Sequence, residues 1–146
     1  MNAKKKFRLQ KVLEVRALIE KNRQKEFAEA KQNLQIEHEE LDQLENKKDG
    51  FTQSMNTVKK AEVSQFRSNQ TYLETLNQAV SDKRETIAIL DEDVETKRRQ
   101  LLEAAKNRKA LEKLKERKEV EVIQEENRFE QDFINEIATQ RNRKKS

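Results

Sequence analysis

The sequence predicts an all-α protein, an antiparallel two-helix coiled-coil hairpin with a C-terminal helical overhang, and three observations predict it. Phe66, Leu73, Val80, Ile87, Val94 and Leu101 recur at every seventh position. That spacing describes a helix with a narrow apolar seam, which another helix must cover. No proline interrupts the 146 residues, and Gly50 is the single glycine. Charged residues make up 41% of the chain against 33% hydrophobic, too few apolar residues for a thick core. Acids and bases alternate instead of segregating as they do in disordered tails. The whole chain, 1–146, therefore reads as a single coiled-coil rod.

Helix one is expected at about 7–55. In steps of seven it carries Leu13, Glu20, Phe27, Leu34, Leu41, Lys48 and Met55, with Leu9, Ala30, Leu44 and Phe51 on the companion positions. This is a second, less regular heptad seam. Two seams in one chain invite a hairpin.

The turn is expected at about 56–61. Thr52, Ser54, Asn56 and Thr57 prefer turns and caps to helix interiors. Gly50 costs only about 1 kcal/mol inside a helix, so helix one is expected to run past it.

Helix two is expected at about 62–141, about 120 Å long against about 80 Å for helix one. Folding near residue 57 sets Leu41 opposite Leu73, Leu34 opposite Val80, Phe27 opposite Ile87 and Leu13 opposite Leu101. Beyond Leu101 the same positions read Arg108 and Lys115, which suggests that helix one has run out there. In the remaining overhang Val122, Phe129, Phe133 and Ile137 form a short apolar stripe with no partner in the chain. Such a stripe marks a binding surface.

Net charge is +4 but unevenly placed. Lys4 to Lys25 holds nine bases against Glu14 and Glu20, and Lys97 to Lys118 holds ten against Glu103, Glu112 and Glu116. A hairpin lays these segments side by side and predicts a basic open end, suited to an acidic partner. Most such charges on a coiled coil simply solvate exposed faces. A nucleic-acid partner is disfavoured, because no aromatics interleave with the bases and glutamates sit among them.

Nothing in the chain points to catalysis or to a small-molecule substrate. A two-helix rod offers no concave pocket with converging polar groups. His38, between Glu37, Glu39 and Glu40, reads as an exposed helix position and not as a general base. Asp91, Glu92, Asp93 and Glu95 lack the glycine of a calcium loop, and one glycine cannot build a phosphate loop. No cofactor or metal is expected. Cysteine is absent, no run approaches a membrane span, and Met1 to Lys6 lacks the apolar core of a secretory signal, so the expected location is cytosolic.

Phe7-Arg8-Leu9-Gln10-Lys11-Val12-Leu13, followed by Arg16 and Glu20, resembles the opening of the flagellar export protein FliJ family. Asn69-Gln70-Thr71-Tyr72-Leu73-Glu74-Thr75-Leu76 and the ending Glu126-Asn127-Arg128, Glu136-Ile137-Ala138 and Arg141 fit as well. Asn135-Glu136 stands where that family has an acidic pair. The resemblance spans nearly the whole chain. It implies an antiparallel coiled coil that looks like the central stalk of rotary ATPases and acts in the flagellar type III export apparatus. The implied partners are the hexameric export ATPase (FliI-like), the export gate protein (FlhA-like) and export chaperones, at the cytoplasmic membrane through those partners.

On this resemblance Arg8, Leu9, Leu13, Arg16, Arg128, Phe129, Phe133 and Ile137 are the expected ATPase contact. Leu44, Phe51, Tyr72, Leu76, Ala79 and Lys83 are the expected gate contact; Leu44, Phe51 and Leu76 also occupy seam positions. A YscO-like component of a virulence secretion system and a generic coiled-coil scaffold or holdase are the alternatives.

Overall fold

A computed structural model describes residues 7–57 and 63–145. They form two helices, α1 (Gln10–Thr57) and α2 (Val63–Lys145), paired as a hairpin. Asn56 and Thr57, assigned to the turn by their residue types, are still helical; the remaining expected turn residues lie outside the described range. The Phe7 carbonyl accepts the Gln10 N–H at 3.0 Å, a tight turn that leads the chain into α1. Threonine is accommodated by bonding its hydroxyl back to the preceding turn: Thr52 to the Lys48 carbonyl at 2.9 Å, and Thr71 to that of Arg67 at 3.0 Å. Gly50 sits in α1 without a positive φ, and a Cβ built there meets no atom within 4 Å.

The chain divides into two compact units, one of Met1–Lys21 with Glu103–Ser146 and one of Asn22–Leu102. In the Asn22–Leu102 unit, Ala30, Leu76, Val80 and Ile87 are buried. Phe27, Leu34, Leu41, Leu44, Leu73, Leu90 and Val94 are half-buried around them. A two-helix seam covers each side chain from one direction only, which is why even the best-buried residue, Val80, keeps 4% exposure.

Pairing in this unit differs from that obtained by folding about residue 57. Phe51 meets Tyr72 edge to face, ring centroids 4.7 Å apart. Lys83 bridges Glu37 at 2.7 Å and Glu40, Arg84 meets Glu45 at 2.8 Å, and Arg23 reaches Gln100 at 3.4 Å. Leu41 therefore faces α2 near Lys83 and not at Leu73. The matches Leu34 with Val80 and Phe27 with Ile87 are displaced likewise, by roughly two to three helical turns. Phe66 keeps the heptad phase but is exposed, 63%, because it lies too near the turn for α1 to cover it.

Lys83 occupies the seam between Leu76 and Leu90, where its ammonium replaces an apolar contact by an ion pair. The hydrogen bond it donates to the Glu37 carboxylate raises its pKa most, that to Glu40 adds to the effect, and partial desolvation opposes both. This contribution to stability is complete below the unfolded lysine's pKa and is lost as pH rises through the higher folded value.

In the other unit Leu13 and Ala104 are buried, and Ile19, Ala105 and Leu111 half-buried. Arg108, the expected sign of a decaying seam, lies within it. Its guanidinium pairs with Glu20 of α1 and with Glu112 at 2.7 Å, and both carboxylates raise its pKa. The apolar seam does not stop at Leu101, as the charges at 108 and 115 suggested. Nor does Leu13 face Leu101: counted from Glu20 and Arg108, Leu13 is level with α2 near Lys115. All described side chains from Ile123 to Lys144 are exposed, so the overhang begins past Val122.

The observed register predicts that a chain carrying Phe51→Cys and Tyr72→Cys closes an intramolecular disulfide in dilute solution. Phe51→Cys with Val63→Cys, the pair favoured by folding about residue 57, stays reduced; non-reducing electrophoresis separates the two. Gly50→Ala is expected to stabilise the chain by roughly 0.5–1 kcal/mol in denaturant unfolding, since helix entropy improves and nothing obstructs the new methyl. The Glu95 carboxyl is held at about 2, chiefly by hydrogen bonds from Arg98 with help from Arg99. A lowered folded pKa stabilises above the unfolded carboxyl's value and loses that stability as pH falls through the folded one. Between about pH 5 and about pH 2, Glu95→Gln is therefore expected to lower the acid dependence of Tm, modestly because the pair is exposed.

Candidate functional site

In the unit that holds both termini, the expected ATPase-contact residues separate into two groups. Arg8, Leu9 and Arg16 are exposed at the start of the chain, whereas Leu13 is buried in the seam against α2. Leu13 therefore holds the helices together and offers little to a partner. Arg128, Phe129, Phe133 and Ile137 project from the overhang. Counted from the Glu20–Arg108 pair, Arg8 is level with Val120, so Phe129 lies about 13 Å further along α2. The two groups do not form one patch.

The overhang is built from ordinary helix periodicity. Phe129, Phe133 and Ile137 recur at four-residue intervals, and Phe129 is 74% exposed and Phe133 57%. Ile123 and Ile134, which the seven-residue reading missed, widen this stripe and are exposed as well. Their signal was there at three- and four-residue spacing, but it falls between seam positions.

Charge on this surface is the opposite of the expected basic end. From Glu119 to Ile137 the acids are Glu119, Glu121, Glu125, Glu126, Glu130, Asp132 and Glu136, and Arg128 is the one base. Bases are concentrated on the paired stretch behind it, Arg8 to Lys21 beside Lys106 to Lys118, and return at Arg141, Arg143 and Lys144. A partner meeting the overhang thus meets apolar side chains set among carboxylates. The depression lined by Glu121, Gln124, Glu125 and Arg128, where the overhang begins, is open to solvent.

The expected gate-contact residues come together in the Asn22–Leu102 unit, largely as packing. Leu76 is 5% exposed, Leu44, Phe51 and Ala79 are half-buried, and Lys83 is engaged by Glu37 and Glu40. Tyr72, 38% exposed, meets Phe51 edge to face and is partly open to solvent. Of the six it is the one that presents an aromatic surface outward. Ile36 and Ile89 are also exposed in this unit.

Among the described residues, no group of His, Asp and Glu converges in the manner of a metal site, and no helix is long and apolar enough to cross a membrane. His38 is exposed on an uninterrupted stretch of α1.

The family profile described as Flagellar FliJ protein matches residues 5–146. No curated protein and no solved structure matches the chain. The match covers both helices and the overhang, and it favours the flagellar family over the virulence-type alternative. Family membership makes the protein a component of the flagellar export apparatus, in a family whose role there is non-catalytic. With residues 5–146 matched, the chain belongs to the flagellar FliJ protein family.

Proposed function

We propose that this protein is a soluble, stalk-like component of the flagellar type III export apparatus. It binds the hexameric export ATPase, promotes ring assembly and activity, and couples the ring to the export gate. In the same role it escorts or recycles export chaperones, in the cytoplasm at the flagellar base. The observation that supports this best is the exposed apolar face of the overhang, Phe129, Phe133, Ile134 and Ile137, on a helix that has left its intramolecular partner. A helix free of its mate can enter a socket without first unpacking, so binding costs no folding energy.

Arg128, Phe129, Phe133 and Ile137 are the ATPase contact in this reading, with Arg8, Leu9 and Arg16 as a separate flank that the ring reaches further down the stalk. Leu13 acts indirectly by fixing that flank on α2. In the Asn22–Leu102 unit Tyr72 is the gate contact, with Phe51 positioning its ring; Leu44, Leu76, Ala79 and Lys83 keep the surface in place. Polar or ionic disruption at the seam would disturb gate binding through the fold, whereas a change at Tyr72 acts on the surface itself.

Mixing the purified chain with its cognate export ATPase is expected to raise hydrolysis. Phe129→Ser with Phe133→Ser removes two exposed aromatics without touching the seam, so helix content by circular dichroism should be unchanged. The concentration giving half-maximal stimulation is expected to rise at least about tenfold, as for loss of buried aromatic anchors. Stimulation equal to that of the parent chain would reject this contact.

A further inference from the structure

A second exposed apolar face lies in the same unit as the overhang. On α1, Val12, Val15 and Leu18 are all exposed, at three-residue intervals, on the side of the helix away from Leu13 and Glu20. At 100° per residue Arg8 and Lys11 fall within the same arc. Both are exposed, and neither forms an ion pair with a described residue. On the overhang, Glu130 falls between Phe129, Phe133, Ile134 and Ile137 in the same manner. One face is apolar with bases inside it, and the other is apolar with an acid inside it.

These faces cannot meet within one chain. The Glu20–Arg108 pair runs α1 antiparallel to α2, so Val15 is level with Lys113, about 30 Å along the axis from Phe133. Complementary surfaces that are kept apart in one molecule can meet only between molecules.

We propose that a second copy of this chain covers both faces: the overhang of each protomer packs parallel to α1 of the other, bringing Glu130 to Lys11, Phe133 to Val15 and Ile137 to Leu18. Two-fold symmetry makes each contact twice, so the assembly closes as a dimer and does not extend into a filament. The spacing agrees along the interface, because both helices advance by 1.5 Å per residue and run in the same direction. Burying Glu130 and Lys11 separately among apolar side chains would be unfavourable, and the dimer pairs them. The dimer occupies the overhang face assigned above to the ATPase, so self-association and ring binding exclude one another. Free protein would then keep its apolar face covered until the ring displaces the second copy.

Sedimentation equilibrium of the full chain tests this. A monomer–dimer equilibrium is expected, tighter in about 50 mM than in about 500 mM salt because exposed charges are screened. Lys11→Glu and Glu130→Lys should each weaken it at least about tenfold, and the two together in one chain should restore it. Both positions are exposed, and circular dichroism checks that the helices persist. A chain monomeric at every concentration, a dimer indifferent to both reversals, or a double variant as weak as the singles would overturn the proposal. Lys11 is outside the assigned ATPase contact, so Lys11→Glu should still stimulate the ATPase. Absence of stimulation by the parent chain, with the charge-swap rescue of dimerisation intact, would count against the ring reading alone and leave the dimer standing.

Discussion

Each helix of this protein has one partner, and a single partner can cover only a strip about two side chains wide. Everything outside that strip remains in water, which is why the chain can be 41% charged and still fold. The same limit makes each seam contact carry more of the specificity. An apolar heptad strip is nearly self-similar under a shift of seven residues, so Leu, Val and Ile alone define a phase but not a register. Lys83 with Glu37 and Glu40, and Arg108 with Glu20, break this degeneracy, since a shifted pairing would leave those charges among apolar neighbours without counterions. Apolar contacts supply the attraction, and the ionic layers decide between alignments.

That division explains what could be read before the structure was known. The run from Leu73 to Leu101 stood out because it follows the helix phase without interruption, and all of it lies in or beside the seam. The two-helix hairpin followed from it. The alignment did not follow, because Lys83, Glu37, Glu20 and Arg108 look like interruptions when each helix is read alone. They become seam residues only when both helices are considered together. Arg108 thus reads in the sequence as the end of the seam, although buried Ala104 and half-buried Leu111 continue it on either side.

The exposed apolar faces are legible in the same uneven way. Phe129, Phe133 and Ile137 could be recognised because an apolar stripe without a partner has no structural reason to exist on a polar helix. Leu13, Leu76 and Lys83 show the converse problem. A residue in the seam and a residue on a partner-binding face have the same types and spacing, so only burial tells them apart. The acid surplus of the overhang is masked by the base-rich run from Lys97 to Lys118 that precedes it on the same helix. Pairing ends near Val122, and the sign of the charge changes almost at the same place.

This coincidence has a physical consequence for how the chain engages others. Along the paired stretch, bases on one helix lie beside bases on the other, and of the four acids there, Glu14, Glu20, Glu112 and Glu116, Arg108 holds Glu20 and Glu112. The resulting positive field is long-ranged and surrounds only the smaller apolar face of Val12, Val15 and Leu18, so its first effect is to steer an encounter. On the overhang the apolar surface is large and the field negative. A partner must therefore satisfy two demands at separate points, acidic character where it passes the paired stretch and basic, apolar character where it grips the tip. Few surfaces carry both in that order, and discrimination arises from the sequence of charges along the helix more than from any single contact.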